Sequence, residues 1–263
     1  MMTAVLSAEG AAASVEIHRS APARTTAAPA AGVLAAQAPV TAPPAVTSAA
    51  ASAKNDQDGD PECLSVKGAE VCVGPDGSDR PGIWVEDTAR GHGHAAVEYF
   101  LNGYLGTKYV IHNLGRAGEI RGTHQIGKVV TFRAAIYSGD RLIKVGRWKT
   151  VRNVTEHPVK RDTRVTPATA RARAKVCTSA RGASVCFGER KTFIFACDTS
   201  ADKFQARAEY FVGGDPTARF EIHQLAGENT CGKAEHGNLA ISMYRASLFN
   251  EDRLVSTQLY RYN

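Results

Sequence analysis

The chain carries one sequence pattern twice. The segment Cys63–Gly74 (CLSVKGAEVCVG) returns at Cys177–Gly188 as CTSARGASVCFG, and both copies continue through Asp-Thr, Glu-Tyr-Phe, Ile-His, Arg-Ala and Asp-Arg-Leu. A period near 110 residues indicates that a whole small domain was duplicated, because solenoid repeats have periods of about 20–50 residues. We therefore predict four segments: a low-complexity segment at 1–61, a first repeat at 62–152, a basic linker at 153–175 and a second repeat at 176–263.

The six cysteines all lie inside the repeats. Each repeat has about 90 residues and so a modest core, which makes covalent cross-links useful. The duplicated nine-residue separation favours Cys63–Cys72 and Cys177–Cys186, and elimination leaves Cys197–Cys231. In the chain-entropy model the two short bridges contribute about 2.7 kcal/mol each and the long bridge about 3.8 kcal/mol. Free buried thiols or a Cys/His zinc site are the alternatives, but no Cys-x-x-Cys or His-x-x-x-His spacing occurs.

Disulfides persist in oxidising compartments, so the cysteines favour a secreted protein. Residues 1–61 consist mainly of Ala, Pro, Thr and Ser and cannot bury enough surface to fold. They contain a degenerate export signal, with Arg19 and Arg24 before the apolar stretch 31–36 and a small-residue cleavage motif at 51–53. The alternative is a low-complexity tether. No apolar run approaches the roughly 20 residues that a membrane span needs.

The formal charge of +6 is unevenly distributed. The first repeat has thirteen Lys and Arg against nine Asp and Glu, the linker six against two, and the second repeat ten against ten. A nucleic-acid-binding domain would carry a stronger basic field, so we do not expect that function. The basic tail 141–152 is typical of an edge strand protected from pairing, and its alternative role is binding of an anionic polymer. Within this tail, the candidate binding residues are Arg147, Trp148 and Lys149.

Short alternating apolar runs separated by turn residues predict an all-β protein. The sequence contains no sustained 3.6-residue stripe. We therefore predict two tandem, related small antiparallel β-sandwich domains after a disordered N-terminal segment. The predicted strands are 69–74, 82–88, 94–102, 107–113, 127–138 and 141–149 in the first repeat and 183–188, 192–198, 204–212, 218–224, 238–249 and 252–262 in the second.

Several motifs occur in both copies. They are Val85-Glu-Asp-Thr88 and Cys197-Asp-Thr199, followed by Phe132-Arg-Ala134 and Tyr244-Arg-Ala246. In these motifs the chain resembles small secreted, disulfide-stapled β-sandwich proteins of actinobacteria. The resemblance covers roughly residues 62–263 and implies an architecture and a compartment. It transfers no catalytic residue, because most members of that group have no assigned activity.

Polar residues shared by both copies are the remaining functional candidates. In Ala-Ala-Val-Glu98-Tyr-Phe the apolar neighbours take one face of the strand and Glu98 the other, and His112 is placed in the same way in the next strand. If these strands form a hairpin, Glu98 and His112 meet as a cross-strand pair, as do Glu209 and His223. A carboxylate beside an imidazole is half of an acid–base site, but it is more often a structural or surface pair.

The sequence thus favours a secreted, non-enzymatic binding or surface-associated module for an anionic or cell-wall polymer. It contains no nucleophile elbow, no His-Glu-x-x-His and no cofactor signature, so we predict no catalytic residue, metal or cofactor. Two alternatives remain: a secreted hydrolase that uses the Glu/His pairs, and an inhibitor of a secreted enzyme. We expect Trp84 in a core, Trp148 exposed, and the Asn153-Val-Thr155 glycosylation pattern to be fortuitous.

Overall fold

The computed structural model describes residues 60–75, 81–89, 91, 93–124, 126–152, 154–155, 165–188 and 191–262. The predicted export signal and almost all of the low-complexity segment lie outside these residues, as does Asn153 of the acceptor pattern. The described residues belong to one compact unit.

Among the described residues the fold is all-β, as predicted, and it includes one short helix that was not predicted. The first repeat contributes nine strands: β1 (Glu62–Val66), β2 (Ala69–Pro75), β3 (Pro81–Asp87), β4 (His94–Leu101), β5 (Thr107–Asn113), β6 (Ile120–Thr123), β7 (Val129–Ser138), β8 (Arg141–Val145) and β9 (Lys149–Arg152). The rest of the chain contributes α1 (Pro167–Arg173), β10 (Val176–Ala180), β11 (Ala183–Phe187), β12 (Phe193–Asp198), β13 (Gln205–Val212), β14 (Ala218–Gln224), β15 (Thr230–Glu235), β16 (Ile241–Asn250), β17 (Arg253–Thr257) and β18 (Arg261–Tyr262).

Each repeat forms two antiparallel layers. One layer is a four-stranded sheet, in the order β1-β2-β3-β6 in the first repeat and β10-β11-β12-β15 in the second. The other layers of the two repeats join into one ten-stranded sheet, whose main path is β17-β16-β13-β14-β5-β4-β7-β8, with β18 pairing to β16 and β9 to β7. One of the two sandwich layers is therefore continuous across the repeats, a relation that the duplication did not predict.

The join between the repeats is the antiparallel pair β5–β14. All seven residues of each strand are paired, from Asn113 opposite Ala218 to Thr107 opposite Gln224, with Val110 opposite Glu221 at the centre. Equivalent backbone bonds flank the pair: Leu114 N donates to Thr217 O at 2.8 Å, and Leu225 N donates to Gly106 O at 2.9 Å. The two repeats are thus related by a pseudo-twofold axis that passes beside Val110 and Glu221.

Side chains from both repeats form one hydrophobic core between the ten-stranded sheet and the four-stranded sheets. Alternation along β4 sends Val97 and Tyr99 into this core, and the equivalent strand β13 sends in Ala208 and Tyr210. Tyr99 stacks on Tyr109 with 5.3 Å between ring centroids, and Tyr210 stacks on Phe220 with 5.7 Å between ring centroids. These pairs flank the β5–β14 join on its core side, so apolar burial holds the repeats together as well as the backbone ladder.

The three disulfides join the predicted partners. Cys63 lies directly opposite Cys72, Cys177 opposite Cys186 and Cys197 opposite Cys231 in adjacent strands, with Cα–Cα distances of 4.0–4.1 Å. The third bridge links β12 to β15 in the second repeat only. At the equivalent pair of β3 and β6, the first repeat has Glu86 opposite Ile120.

The second half of the predicted linker contains helix α1, which the sequence reading did not include. Thr166 caps it by accepting the Thr169 N–H at 3.2 Å, and Pro167 occupies the first turn, where a missing N–H costs nothing. Ala170 is buried against Cys186, Phe195 and the third disulfide. The helix therefore docks on the four-stranded sheet of the second repeat.

Candidate functional site

The polar candidates lie on the face of the ten-stranded sheet that is turned away from the four-stranded sheets. Alternation along β4, β5, β13 and β14 places Glu98, His112, Glu209 and His223 on this face, as the sequence predicted. All four side chains have an exposed fraction of zero. They belong to a buried polar layer, which has three parts.

The first part surrounds Glu98. Its carboxylate accepts hydrogen bonds from Lys108 Nζ at 2.7 Å, Arg133 Nε at 2.5 Å and Tyr137 Oη at 2.5 Å. Burial opposes the ionised form, but Lys108 and Arg133 outweigh it and lower the pKa of Glu98 to about 2. Glu98 is therefore an ionised anchor whose acceptor positions are occupied.

The second part surrounds Glu209, the counterpart of Glu98. Its carboxylate pairs with Arg245 and accepts Ser247 Oγ at 2.6 Å and Tyr260 Oη at 3.2 Å. Burial and the nearby Glu221 carboxylate raise the pKa of Glu209, against the opposing effect of Arg245. Equivalent carboxylates thus have opposite electrostatic environments.

The third part lies at the pseudo-twofold axis. Glu221 Oε1 is 3.0 Å from both His112 Nε2 and Arg219 Nη2, and its Oε2 is 2.7 Å from His223 Nε2. Burial disfavours the charge, but these neighbours hold the pKa of Glu221 well below its usual range. Burial lowers the pKa of His223 to about 3 and also lowers that of His112, so both imidazoles are neutral near pH 7. One carboxylate of the second repeat thus binds equivalent histidines from both repeats.

The expected Glu98–His112 and Glu209–His223 pairs are not formed. Glu98 lies opposite Val110 rather than His112, and Glu209 lies opposite Glu221 rather than His223. In each repeat the glutamate and the histidine lie on the same face of the sheet but are offset by two residues along the strands. The glutamates bond to Lys or Arg side chains, and both histidines bond to Glu221. The two pairs within each repeat on which the hydrolase hypothesis rested are therefore not formed among the described residues, and the carboxylate beside both histidines is the buried Glu221.

Arg147, Trp148 and Lys149 lie where β8 gives way to β9, at one lateral edge of the ten-stranded sheet. Arg147 is exposed, whereas Lys149 pairs with Glu62 of β1. Trp148 is half-buried, not exposed as expected, because it packs on Phe100 at 5.2 Å and its ring lies 4.5 Å from the Arg133 guanidinium carbon. Of the three candidates, Arg147 alone presents an unpaired cation among the described residues.

Tyr260 is the structural counterpart of Trp148. Its ring lies 4.5 Å from the Arg245 guanidinium carbon and 5.8 Å from the Phe211 ring. In each repeat an aromatic ring just before the last strand therefore covers the buried glutamate–arginine pair. Trp148, before β9, covers Glu98–Arg133, and Tyr260, before β18, covers Glu209–Arg245. Cation–π contacts of this kind contribute about 0.5–1 kcal/mol at partly exposed sites.

Three carboxylates, from Asp140, Glu209 and Glu221, have oxygens within 4.8 Å of one another. Arg219 Nη1 is 2.7 Å and Arg245 Nη2 is 3.2 Å from the Asp140 carboxylate, which lies on the β7–β8 turn. The two guanidinium groups already supply the positive charge that such a cluster requires. These contacts also tie a turn of the first repeat to two strands of the second.

An open cleft of about 740 Å³ lies at one end of the first repeat. Its wall is made by Ala89, Gly91 and Gly93 between β3 and β4, by the β5–β6 loop and by the β7–β8 turn. Its polar lining includes Asp87, His94 and Arg116. His94 Nε2 lies 2.8 Å from His112 Nδ1, so the cleft is connected to the central part of the buried layer.

Sequence reasoning missed His94, Lys108, Arg219 and Glu221, because it considered only polar residues identical in both copies. The counterparts of Arg219 and Glu221 are Lys108 and Val110, and the counterpart of His94 is Gln205. A usable signal was present: Arg219, Glu221 and His223 alternate with Phe220 and Ile222, the pattern of a strand with one polar face.

No family model and no curated protein matches the chain. Among solved structures, the chain is similar to a crystal structure of the FN1–FN3 domains of chicken CNTN1, with 12% sequence identity and a TM-score of 0.25. The match covers 73% of this chain and 63% of that chain. At that score the likeness carries no argument about function.

What the fold and disulfides define is a class: a disulfide-stabilised, all-β protein of an oxidising, extracellular environment. Among the residues that the structure describes, no helix has the length and apolar character that crossing a membrane requires.

Proposed function

We propose that this protein is secreted and acts as a non-catalytic binding module for an anionic or cell-wall polymer. The observation that supports this function best is the basic edge, defined as the exposed residues Arg141, Lys144, Arg147 and Arg152 on and beside β8 and β9. These strands form one lateral edge of the ten-stranded sheet. Among the described residues, no carboxylate pairs with any of the four cations.

The opposite edge of the sheet provides the contrast. There β17 and β18 expose Arg253 and Arg261, with exposed Glu251 and Asp252 in the adjoining turn. Arg253 thus has acidic neighbours in the adjoining turn. Asp140, in the equivalent turn beside the basic edge, pairs with Arg219 and Arg245 instead, so the basic edge presents a net positive field. Such a field attracts a polyanion over roughly a Debye length, about 8 Å at physiological ionic strength.

The packing behind the basic edge supports its use as a fixed surface. Trp148 lies between Phe100 and Arg133, and Lys149 is tied to Glu62. A surface ordered before binding loses less conformational entropy on contact with a ligand. The hydrolase alternative receives no such support, because Glu98 and Glu209 are inaccessible to substrate and already paired.

The test is retention of the full chain on immobilised polygalacturonate as salt increases. We expect the quadruple variant Arg141→Gln, Lys144→Gln, Arg147→Gln, Arg152→Gln to elute at markedly lower salt than the parent protein. The matched control is Arg253→Gln with Arg261→Gln, which removes exposed cations from the opposite edge and should leave elution nearly unchanged. Equal losses in both variants, or none in the first, would show that the basic edge is not the contact surface.

The source of the protein is part of the same proposal. The resemblance to small secreted actinobacterial β-sandwich proteins supports the extracellular compartment, in which the proposed partner is a cell-wall polymer. Intact mass of the natural secreted protein, with and without reduction, tests export and bridge count together. Six free thiols in that material would contradict the extracellular assignment.

A further inference from the structure

Contacts in the buried layer determine which ring nitrogens of His112 and His94 carry a proton, and His94 lines the cleft of the first repeat. The Glu221 carboxylate accepts only, so the short contact at 3.0 Å requires His112 to carry its proton on Nε2. Arg219 Nη2 also approaches that nitrogen, but at 3.4 Å the contact is too long to reverse the assignment. The Nδ1 of neutral His112 is therefore an acceptor.

The assignment of His112 fixes that of His94. Since His112 Nδ1 accepts, His94 Nε2 must donate across the 2.8 Å contact, and His94 Nδ1 keeps its lone pair. His94 lines the cleft, and His112 is its only hydrogen-bond partner among the described residues. Burial lowers the pKa of His94 to about 3, so this acceptor persists throughout the neutral and mildly acidic range.

The described lining of the cleft also includes Ser138, Asp87 and Arg116, and the last two bear on what would fit beside that acceptor. Asp87 uses Oδ1 to accept the Ala89 N–H at 3.1 Å, and its carboxylate retains further acceptor positions. Arg116, exposed at the rim, offers a cation with no carboxylate partner among the described residues. Two acceptors and one guanidinium match a ligand with several hydroxyl groups and one acidic group. The cleft volume lies within the range of about 300–1,000 Å³ typical of small-molecule sites.

The second repeat shows that this arrangement is specific to the first. The counterpart of His94 is Gln205, and the small Ala96 beside His112 is replaced by the buried Arg207. His223 Nδ1, the equivalent of the nitrogen that binds His94, is buried and has no hydrogen-bond partner. The relay to a cleft is therefore a feature of the first repeat among the described residues.

We propose that the cleft binds a single hexuronic acid unit, with sugar hydroxyls donating to His94 and Asp87 and the sugar carboxylate paired with Arg116. The choice of an acidic sugar rests on the proposed function, since the β7–β8 hairpin that walls the cleft leads directly into the basic edge. In this arrangement the edge holds the polymer electrostatically and the cleft recognises one of its units.

The experiment uses the full chain labelled with ¹⁵N-histidine and titrated with glucuronate, and the His94 imidazole signals are identified by their loss in His94→Gln. We expect a shift at His94 Nδ1 with an affinity in the millimolar range, independent of pH between about 5 and 8. Glutamine retains an amide donor for His112, so the fold should survive, while glucuronate affinity falls about tenfold. Arg116→Ala should weaken glucuronate about tenfold and leave methyl glucoside unaffected. Gln205→Ala is the matched control in the second repeat and should bind normally.

Absence of any change at His94, or equal glucuronate binding by Arg116→Ala, would overturn the inference. The two proposals fail separately. If glucuronate shifts His94 while the basic-edge variant still binds polygalacturonate normally, the cleft site stands and the basic edge is not the polymer contact. If the edge variant loses the polymer but glucuronate leaves His94 unchanged, the binding module stands and the cleft assignment is wrong.

Discussion

Glu98 and Glu209 occupy the same position in the two repeats, yet their pKa values shift in opposite directions. Glu98 has Val110 directly opposite and receives Lys108, Arg133 and Tyr137 around its carboxylate. Glu209 has the Glu221 carboxylate opposite instead, and its Arg245 partner is shared with Asp140. Glu98 therefore has two cations to itself, whereas Glu209 faces a second carboxylate and shares its arginine.

The same comparison explains how two similar repeats form an asymmetric molecule. At the pseudo-twofold axis a symmetric pair would place two valines or two glutamates against each other. The observed Val110–Glu221 pair avoids facing carboxylates and provides one acceptor for both equivalent histidines. The second repeat has Arg219 where the first has Lys108, and Arg207 where the first has Ala96, so its one additional cation in these strands, Arg207, is buried. The surplus positive charge of the first repeat stays at its surface.

The largest effect should come from making the axis symmetric with Glu221→Val. This change removes one of the two close carboxylate partners of the buried Arg219 and the acceptor of both histidines. We expect a loss of roughly 3–5 kcal/mol in the free energy of unfolding, since removal of one member of a buried ionic cluster leaves the others uncompensated. Denaturant unfolding measures it, and Glu119→Gln, in the partly exposed Glu119–Arg121 pair, should change stability by less than about 1 kcal/mol. Similar values for the two variants would mean that Glu221 does not hold the repeats together.

A second test transfers the third disulfide from one repeat to the other. Glu86 and Ile120 lie directly opposite each other, 34 residues apart in the chain, as Cys197 and Cys231 are. We expect Glu86→Cys with Ile120→Cys to form a bridge that stabilises the oxidised protein by up to about 3.8 kcal/mol. Removal of the natural bridge with Cys197→Ala and Cys231→Ala should cost a similar amount.

Unfolding of each variant with and without reductant provides the measurement, and mass spectrometry of the alkylated protein confirms the new bridge. If the new cysteines stay reduced under oxidising conditions, the equivalence of the two strand pairs would be disproved. If the new cysteines form the bridge but the free energy of unfolding does not rise, the conformational entropy of the unfolded first repeat is already restricted by other means.

The part of the fold that could be read from the sequence is the part that duplication and alternation encode. The strands around Glu98 and His112, the short disulfides and the all-β class follow from local patterns. The edge strands β1, β6 and β10 were not predicted, because their side chains are largely exposed or their segments too short for clear alternation. The edge strand β15 was also missed, since its sequence Thr-Cys-Gly-Lys-Ala-Glu does not alternate between apolar and polar residues. The helix α1 escaped because seven residues with one buried alanine carry no stripe.

The candidate site was harder to predict than the fold. Pairing of β5 with β14 brings together residues more than 100 positions apart, and nothing in either repeat alone specifies that contact. Glu221 could not be singled out from identity between copies, since its importance lies in differing from Val110. The burial of Glu98 was likewise hidden, because alternation assigns a face but does not say what covers that face.

The smallest of the predicted effects concerns the pH dependence of the two equivalent glutamates. The pKa of Glu98 falls from 4.5 to about 2, so its ionised form stabilises the fold above pH 4.5, and this contribution is lost as the pH falls from about 4.5 to about 2. The raised pKa of Glu209 has the opposite sign: its ionisation costs stability at neutral pH, and acid relieves that cost.

We therefore expect Glu98→Gln to lower the free energy of unfolding at pH 7 by about 2 kcal/mol more than Glu209→Gln does. The gap should narrow steadily below pH 4.5. Taking the difference removes the contribution of the buried histidines, whose lowered pKa values weaken the fold of both variants alike as the pH falls below 6.5. Denaturant titrations at several pH values between about 3 and 7 measure the gap. Two results would contradict this expectation: a difference in the free energy of unfolding that stays constant over this range, or a Glu98→Gln variant that is the more stable of the two. Either result would show that Val110 and Glu221 do not cause the opposite pKa shifts of the two carboxylates.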